Sequence, residues 1–198
     1  MEESVVQLLL FADDLMLVAE NKEDVERNLR VLDEVMEKWK MRINWRKTKV
    51  MTVKRGGGTC VISVKGEKIE EVKTMKYLGA LFNEEGSCEE EVEIRIGAAS
   101  KVIRAMKSEV LERRELSKGT KVRVFNAMVV PTLLYGCETW TIQKRHMSRL
   151  QATEMRYLRR VEGVTKLDKV RNEDIRQRLK QEAVVEVARK KQRAWKEN

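Results

Sequence analysis

Two short apolar runs, Val5-Val6-Gln7-Leu8-Leu9-Leu10 and Leu15-Met16-Leu17-Val18, meet at Phe11-Ala12-Asp13-Asp14. Apolar runs of this length read as strands, and the few residues between them leave room only for a tight turn. Residues 4–20 are therefore expected to form a strand, a turn and a strand, with two adjacent carboxylates at the tip. Paired acids held by strands suit a divalent cation used in phosphoryl chemistry, because Mg²⁺ takes hard oxygen ligands at a rigid place.

Beyond that hairpin the apolar spacing changes to a helical period. Val25, Leu29, Leu32, Met36 and Trp39 predict a helix over residues 22–41 with those side chains inward. Asn21 would cap it, with Asp24 three residues on, while Glu26, Arg30, Asp33, Glu37 and Lys40 would face water. Residues 49–54 alternate as a strand, Gly56-Gly57-Gly58 reads as a turn, and the flanks of Lys65-Gly66-Glu67 suggest a small hairpin. The triple glycine lacks the Lys-Ser/Thr ending of a phosphate loop. Residues 74–82 form a further strand-like run.

The remainder reads as helices. Ser87 and Glu90 form a capping-box pattern ahead of residues 88–112, where Val92, Ile96, Ala99, Ile103, Met106 and Val110 repeat at helical spacing. Ser117 opens another helix, which Pro131 is expected to kink or end. Over residues 143–161, Arg145, Arg149, Arg156 and Arg160 share about 60° of helical arc, opposite Met147, Leu150, Leu158 and Val161. Such a stripe is either a solvated face or a surface that tracks phosphates. Residues 170–196 read as one more charged helical stretch.

Charge distribution says more than its total. Residues 1–140 hold 24 Lys and Arg against 24 Asp and Glu, whereas residues 141–198 hold 17 against 8, so the net charge of +9 lies in the last 58 residues. A neutral first part with a basic tail is the balance of a chain that contacts nucleic acid at one end. Cys60, Cys88 and Cys137 are odd in number, far apart and without any Cys-x-x-Cys, which argues against a disulfide framework or a zinc site. A single histidine, His146, excludes a histidine metal cage. No apolar run reaches bilayer-spanning length, and acids stand where a signal peptide carries basic residues, so an intracellular protein, nuclear or cytoplasmic, is expected.

In this order the motifs resemble those of reverse transcriptases from retrotransposons without long terminal repeats, the LINE type. Phe11-Ala12-Asp13-Asp14 is similar to the family's metal-binding acid motif, and Asn44-Trp45-Arg46-Lys47-Thr48 to its Asn-x-x-Lys-Thr step. Tyr77-Leu78-Gly79 resembles the element that grips the primer end. Pro131-Thr132-Leu133-Leu134-Tyr135-Gly136-Cys137-Glu138-Thr139-Trp140 resembles the stretch where the thumb gives way to the C-terminal region.

The resemblance implies an α+β fold: a partial polymerase palm over residues 1–83, a helical thumb over 84–140 and a basic helical segment over 141–198. It implies Mg²⁺ as cofactor, with Asp13 a direct ligand, Asp14 a supporting one and Lys47 a basic residue behind the site. A surface lysine at a helix–strand turn is an equal reading of Lys47. RNA template and DNA primer would be the partners, and Arg145, Arg149, Arg156 and Arg160 the nucleic-acid contacts. The family's fingers and first palm aspartate lie upstream of the acid motif. The expectation is therefore an RNA-directed DNA polymerase segment inactive by itself, or else a non-catalytic nucleic-acid-binding module using its basic end. An apolar edge at residues 5–10 is expected to promote self-association.

Overall fold

The computed structural model describes residues 8–53 and 61–197. The expectations placed on Val5, Val6, the triple glycine and Cys60 lie outside the described residues. The chain divides into two compact units, Met1–Ser87 and Cys88–Asn198. The first mixes strands with one helix and the second is helical, so the chain is α+β in class.

In the first unit, β1 (Leu8–Phe11) and β2 (Asp14–Leu17) form an antiparallel two-stranded ribbon. Helix α1 (Lys22–Lys38) follows, capped as expected: the Asn21 side chain accepts the backbone N–H of Asp24 at 2.9 Å. A three-stranded sheet is built from β3 (Lys49–Val50), β4 (Ile62–Val64) and β5 (Glu67–Glu71), with β5 central, antiparallel to β4 and parallel to β3. The expected run at 74–82 is itself a hairpin, β6 (Thr74–Tyr77) with β7 (Ala80–Asn83).

Helix α1 packs on β4 through Leu29, with Val25 beside it, against Ile62, Val64 and Ile69. Two assignments on α1 change, one inward and one outward. Trp39 is 74% exposed, because the helix ends at Lys38 before Trp39 can turn toward the sheet. Asp33, expected in water, is buried, because Lys65 at the tip of the β4–β5 hairpin reaches it at 2.6 Å and Glu37 at 2.9 Å. Those two carboxylates hold the Lys65 ammonium charged by raising its pKa. Only four described apolar side chains are buried in this small core. At about 1.5–3 kcal/mol each, they offset little of the ordering entropy of a unit this size.

The second unit has α2 (Glu89–Ala105), α3 (Lys118–Val124), α4 (Val130–Leu133), α5 (Lys144–Glu162), α6 (Asn172–Leu179) and α7 (Val184–Glu197). Ahead of α2 the Ser87 N–H is donated to Asn83 Oδ1 at 2.9 Å, and Cys88 stands at the N-cap position without a side-chain cap bond of its own. Past Ala105 the helix widens into a π turn, Lys107–Leu111. That extra residue shifts the phase, so Leu111 is buried while Val110, as expected, packs half-buried against the same core. Ser117 caps α3 by accepting the Thr120 N–H at 3.1 Å. Pro131 does not end the helix. A π turn, Phe125–Val129, precedes it, and the Val130 N–H bonds to Phe125 O, which absorbs the proline's missing donor and its ring. The charged stretch after 170 is two helices, broken where Lys180 takes φ 52°.

Twenty-one described side chains form one core here, drawing on α2 through α7. Phe125 stacks on Tyr157 with ring centroids 4.9 Å apart, and the Tyr157 hydroxyl donates to Lys121 O at 2.8 Å. Residues expected as thumb and as basic tail therefore share a core. At its centre Glu154 is fully buried, accepting from Arg176 Nη2 at 2.7 Å, Arg176 Nε at 3.2 Å and the Val184 N–H at 3.4 Å. One carboxylate thus joins α5, α6 and the start of α7.

Removing a single partner of a buried ion pair leaves an uncompensated charge, a loss of about 3–5 kcal/mol. Glu154→Ala should lower unfolding free energy by that amount in urea denaturation followed by Trp140 fluorescence. The double change Glu154→Leu, Arg176→Met should recover most of the loss, since apolar replacements of similar volume are often neutral. A Glu154→Ala loss below about 1 kcal/mol would contradict the role assigned to this carboxylate.

Candidate functional site

Each motif of the first unit lies at a tight turn, and the geometry explains the residue types. In the acid hairpin Phe11 pairs with Asp14, leaving Ala12-Asp13 as a two-residue turn with Ala12 at φ 51°. A non-glycine residue in the left-handed region is held there by its surroundings, here by the paired strands on either side. Asp13 in the turn and Asp14 at the first position of β2 are both exposed. Two carboxylates consecutive in sequence are therefore exposed to solvent at the tip.

Asn44 organises the second motif. Its side-chain oxygen accepts the Lys47 N–H at 3.2 Å, and its carbonyl accepts the N–H groups of Lys47 and Thr48 and the Thr48 hydroxyl, each at 3.0 Å. An asparagine that folds its own backbone two or three residues on is the chemistry of an Asx turn. Trp45 packs on the small core while Lys47 is exposed. No ion pair among the described residues joins Lys47 to Asp13 or Asp14.

The third motif is the tip of the β6–β7 hairpin. Tyr77 pairs with Ala80, and Leu78-Gly79 is the two-residue turn at φ 47° and 83°. Positive φ at both positions is the I′ hairpin turn, which a glycine second residue makes inexpensive. Leu78 is thereby presented at the apex, half-exposed.

In the second unit the arginine stripe has neighbours that reading α5 alone did not reveal. Arg145 pairs with Glu89 and Arg149 with Glu93, both on α2. Arg156 Nη1 donates to Ser100 Oγ at 3.3 Å. Arg160 is exposed and forms no ion pair among the described residues. A fifth arginine, Arg159, turns away to donate to Thr165 O, Val170 O and Asn172 Oδ1 at 2.8–3.1 Å, bracing the α5–α6 connection.

His146 is buried where α2 and α5 begin. Its Nδ1 accepts the Gln143 N–H at 3.3 Å and lies 3.7 Å from Cys88 Sγ, while its Nε2 stands 3.5 Å from Glu89. Burial pushes the Cys88 thiol pKa up, the opposite of an activated nucleophile, so this cluster locks two helix starts together.

For Mg²⁺ the donor chemistry at the hairpin tip fits: two adjacent carboxylates offer hard oxygens to an ion that keeps most of its waters. Among the described residues no group of three His, Cys, Asp or Glu side chains is gathered at one place. No described helix is long and apolar enough to cross a membrane.

Comparison with known proteins shows what this geometry is similar to. The family model of the reverse transcriptases (RNA-dependent DNA polymerases) matches residues 2–82, which contain all three turn motifs. The RNA-directed DNA polymerase from the mobile element jockey of Drosophila melanogaster is 26% identical over 171 residues, covering 82% of this chain and 19% of that protein. Its Drosophila funebris counterpart is 22% identical over 169 residues, covering 81% and 18%. An uncharacterised transposon-derived protein of Caenorhabditis elegans is 28% identical over 160 residues, covering 79% of this chain and 57% of its own length. The chain thus spans about a fifth of the two polymerases. No solved structure matches it. With the acid hairpin, the Asn44 turn and the Leu78-Gly79 hairpin all inside the matched region, residues 2–82 are similar to the reverse transcriptases, and the chain as a whole is similar to a segment of the RNA-directed DNA polymerases of mobile elements.

Proposed function

We propose that this segment supplies an RNA-directed DNA polymerase with its acid-bearing hairpin, its primer-end grip and part of its nucleic-acid surface. The observation that carries the proposal is the exposed pair Asp13 and Asp14 at a two-residue turn, inside the stretch matched by the reverse transcriptase family. Asp13 would hold Mg²⁺ directly and Asp14 would support it. In nucleotidyl transfer a primer 3′-hydroxyl gives up its proton and bonds to the α-phosphorus as the bond to the pyrophosphate oxygen breaks, and Mg²⁺ held by Asp13 and Asp14 would supply stabilisation of the negative charge that develops. Lys47, on a turn fixed by Asn44, would supply positive charge behind that site. Tyr77, Leu78 and Gly79 would hold the primer end, with Leu78 at the apex and Tyr77 at the base of the turn. RNA template and DNA primer are the partners this reading requires, and residues 84–140 and 141–198 would serve as thumb and basic segment.

A second reading, a non-catalytic nucleic-acid-binding module, draws on the excess of positive charge after residue 140. The two readings differ at the hairpin. Backbone amides of residues 11–15 should shift in millimolar Mg²⁺ in nuclear magnetic resonance spectra, and the shifts should vanish in Asp13→Asn, Asp14→Asn. Unchanged spectra would favour the binding module.

Two-metal chemistry requires carboxylates on two sides of the ion pair, and the hairpin tip provides one side. The 198-residue polypeptide with Mg²⁺ or Mn²⁺, a primed RNA template and deoxynucleotides should therefore give no extension above an Asp13→Ala, Asp14→Ala control. Extension that disappears in that control would show a complete site.

A further inference from the structure

Helices α2 and α5 lie side by side, parallel and in register. The pairs Glu89–Arg145, Glu93–Arg149 and Ser100–Arg156 each join residues 56 apart, so one step along α2 matches one step along α5. At 100° per residue, Glu89, Glu93, Ser100 and Arg104 share a stripe of about 60° on α2, facing the arginine stripe of α5. The chemistry of the rungs changes along this ladder. The first two are acid against arginine, the third is serine against arginine, and the register places Arg104 against Arg160 at the fourth.

The last two rungs therefore bring Arg104, Arg156 and Arg160 to one ridge. All three are exposed, and none has a carboxylate within ion-pair distance among the described residues. The nearby acid Glu162 is engaged by Lys118 and Arg178. The ends of α2 and α5 carry partial negative charge that favours arginines in their last turns, which explains how like charges are tolerated together. Helix ends do not use the outward donors, however. Each guanidinium has five N–H groups, and of the three only Arg156 shows a side-chain bond, a single one to Ser100.

We infer that Arg104, Arg156 and Arg160 form a seat for the phosphate backbone of a nucleic-acid duplex, whereas Arg145 and Arg149 belong to the α2–α5 ladder. The inference rests on the nucleic-acid role proposed above and narrows it to three residues, one of them outside the α5 stripe. Planar guanidinium forks match phosphate oxygens bidentately. Arg156 and Arg160 are about 6 Å apart along the helix, four residues at 1.5 Å each, so the cations follow one another along the ridge. A lipid surface fits less well, because membrane-seated helices carry large apolar side chains beside their cations. Neither residues 100–105 nor residues 156–160 expose one.

The test is duplex DNA binding by the full chain across a salt series, read as the slope of log affinity against log salt. On duplex the slope is roughly −0.9 per neutralised phosphate. Changing Arg104, Arg156 and Arg160 to Gln should flatten the wild-type slope by about 2.7, similarly on unrelated sequences, with circular dichroism confirming the helical fold. Arg145→Gln with Arg149→Gln should leave the slope within about 0.5 of wild type. Equal slopes for wild type and the triple variant, with binding intact, would overturn the seat while leaving the nucleic-acid reading standing. Equal flattening by the Arg145, Arg149 variant would overturn the partition. Absence of duplex binding by wild type would overturn both the reading and the seat. A triple variant that loses binding to phosphatidylserine vesicles but not to duplex would assign the ridge to membranes and overturn the proposal.

Discussion

A carboxylate with no exposure to water decides how the second half of this chain assembles. Glu154 lies on the inward face of α5 among Leu150, Tyr157, Leu158 and Val161, where an acid is tolerated only if fully paired. Arg176 on α6 supplies a bidentate partner and the Val184 N–H a third donor. This arrangement fixes where α6 docks and where α7 starts. Gln192 then ties α7 to the carbonyls of Cys137 and Trp140 at 2.8 Å, and Gln181 accepts from Asn126 at 2.9 Å. The basic C-terminal segment is thereby built into a core with α2 and α3.

Legibility in the sequence followed the range of the interactions. Local devices were readable: the Asn21 and Ser117 caps rest on residues three apart, and the strand–turn–strand around Asp13 and the Lys65-Gly66 hairpin on pairs no more than nine apart. Features that need a distant partner were not. Asp33 reads as a solvated residue until Lys65, 32 positions away, is placed on it. The π turns at Lys107–Leu111 and Phe125–Val129 shift the helical phase without any residue type that announces them, apart from Pro131 just after the second. One signal could have been used: Glu154 interrupts an otherwise apolar helical face, and an acid at such a position demands a buried cation elsewhere.

The candidate site shows the same division. The turn at Ala12-Asp13 was readable, whereas residues 74–82 read as one strand-like run that the structure folds back at Leu78-Gly79. The structure also adds the reason for Asn44, whose side chain and carbonyl together fold the Lys47 backbone. The arginine stripe of α5 was found correctly as a face. Its partners were not, because Glu89, Glu93 and Ser100 sit 56 residues earlier on another helix. Exposed pairs of this kind contribute about 0–1 kcal/mol each, so they set register more than stability.

The two units differ in how much holds them together, and the functional reading depends on that difference. The acid hairpin is a two-stranded ribbon whose Leu8, Leu9, Leu10 and Phe11 are all exposed, an arrangement marginal by itself in water. The helical unit has a continuous core and a buried ion pair. Amide hydrogen exchange on monomeric protein tests this contrast most directly. Residues 8–17 should exchange within seconds to minutes, while residues 92–103 and 150–161 should be protected close to the level of global unfolding. Equal, strong protection of residues 8–17 in a clean monomer would mean that the hairpin has a stable partner within the chain, and would contradict the account.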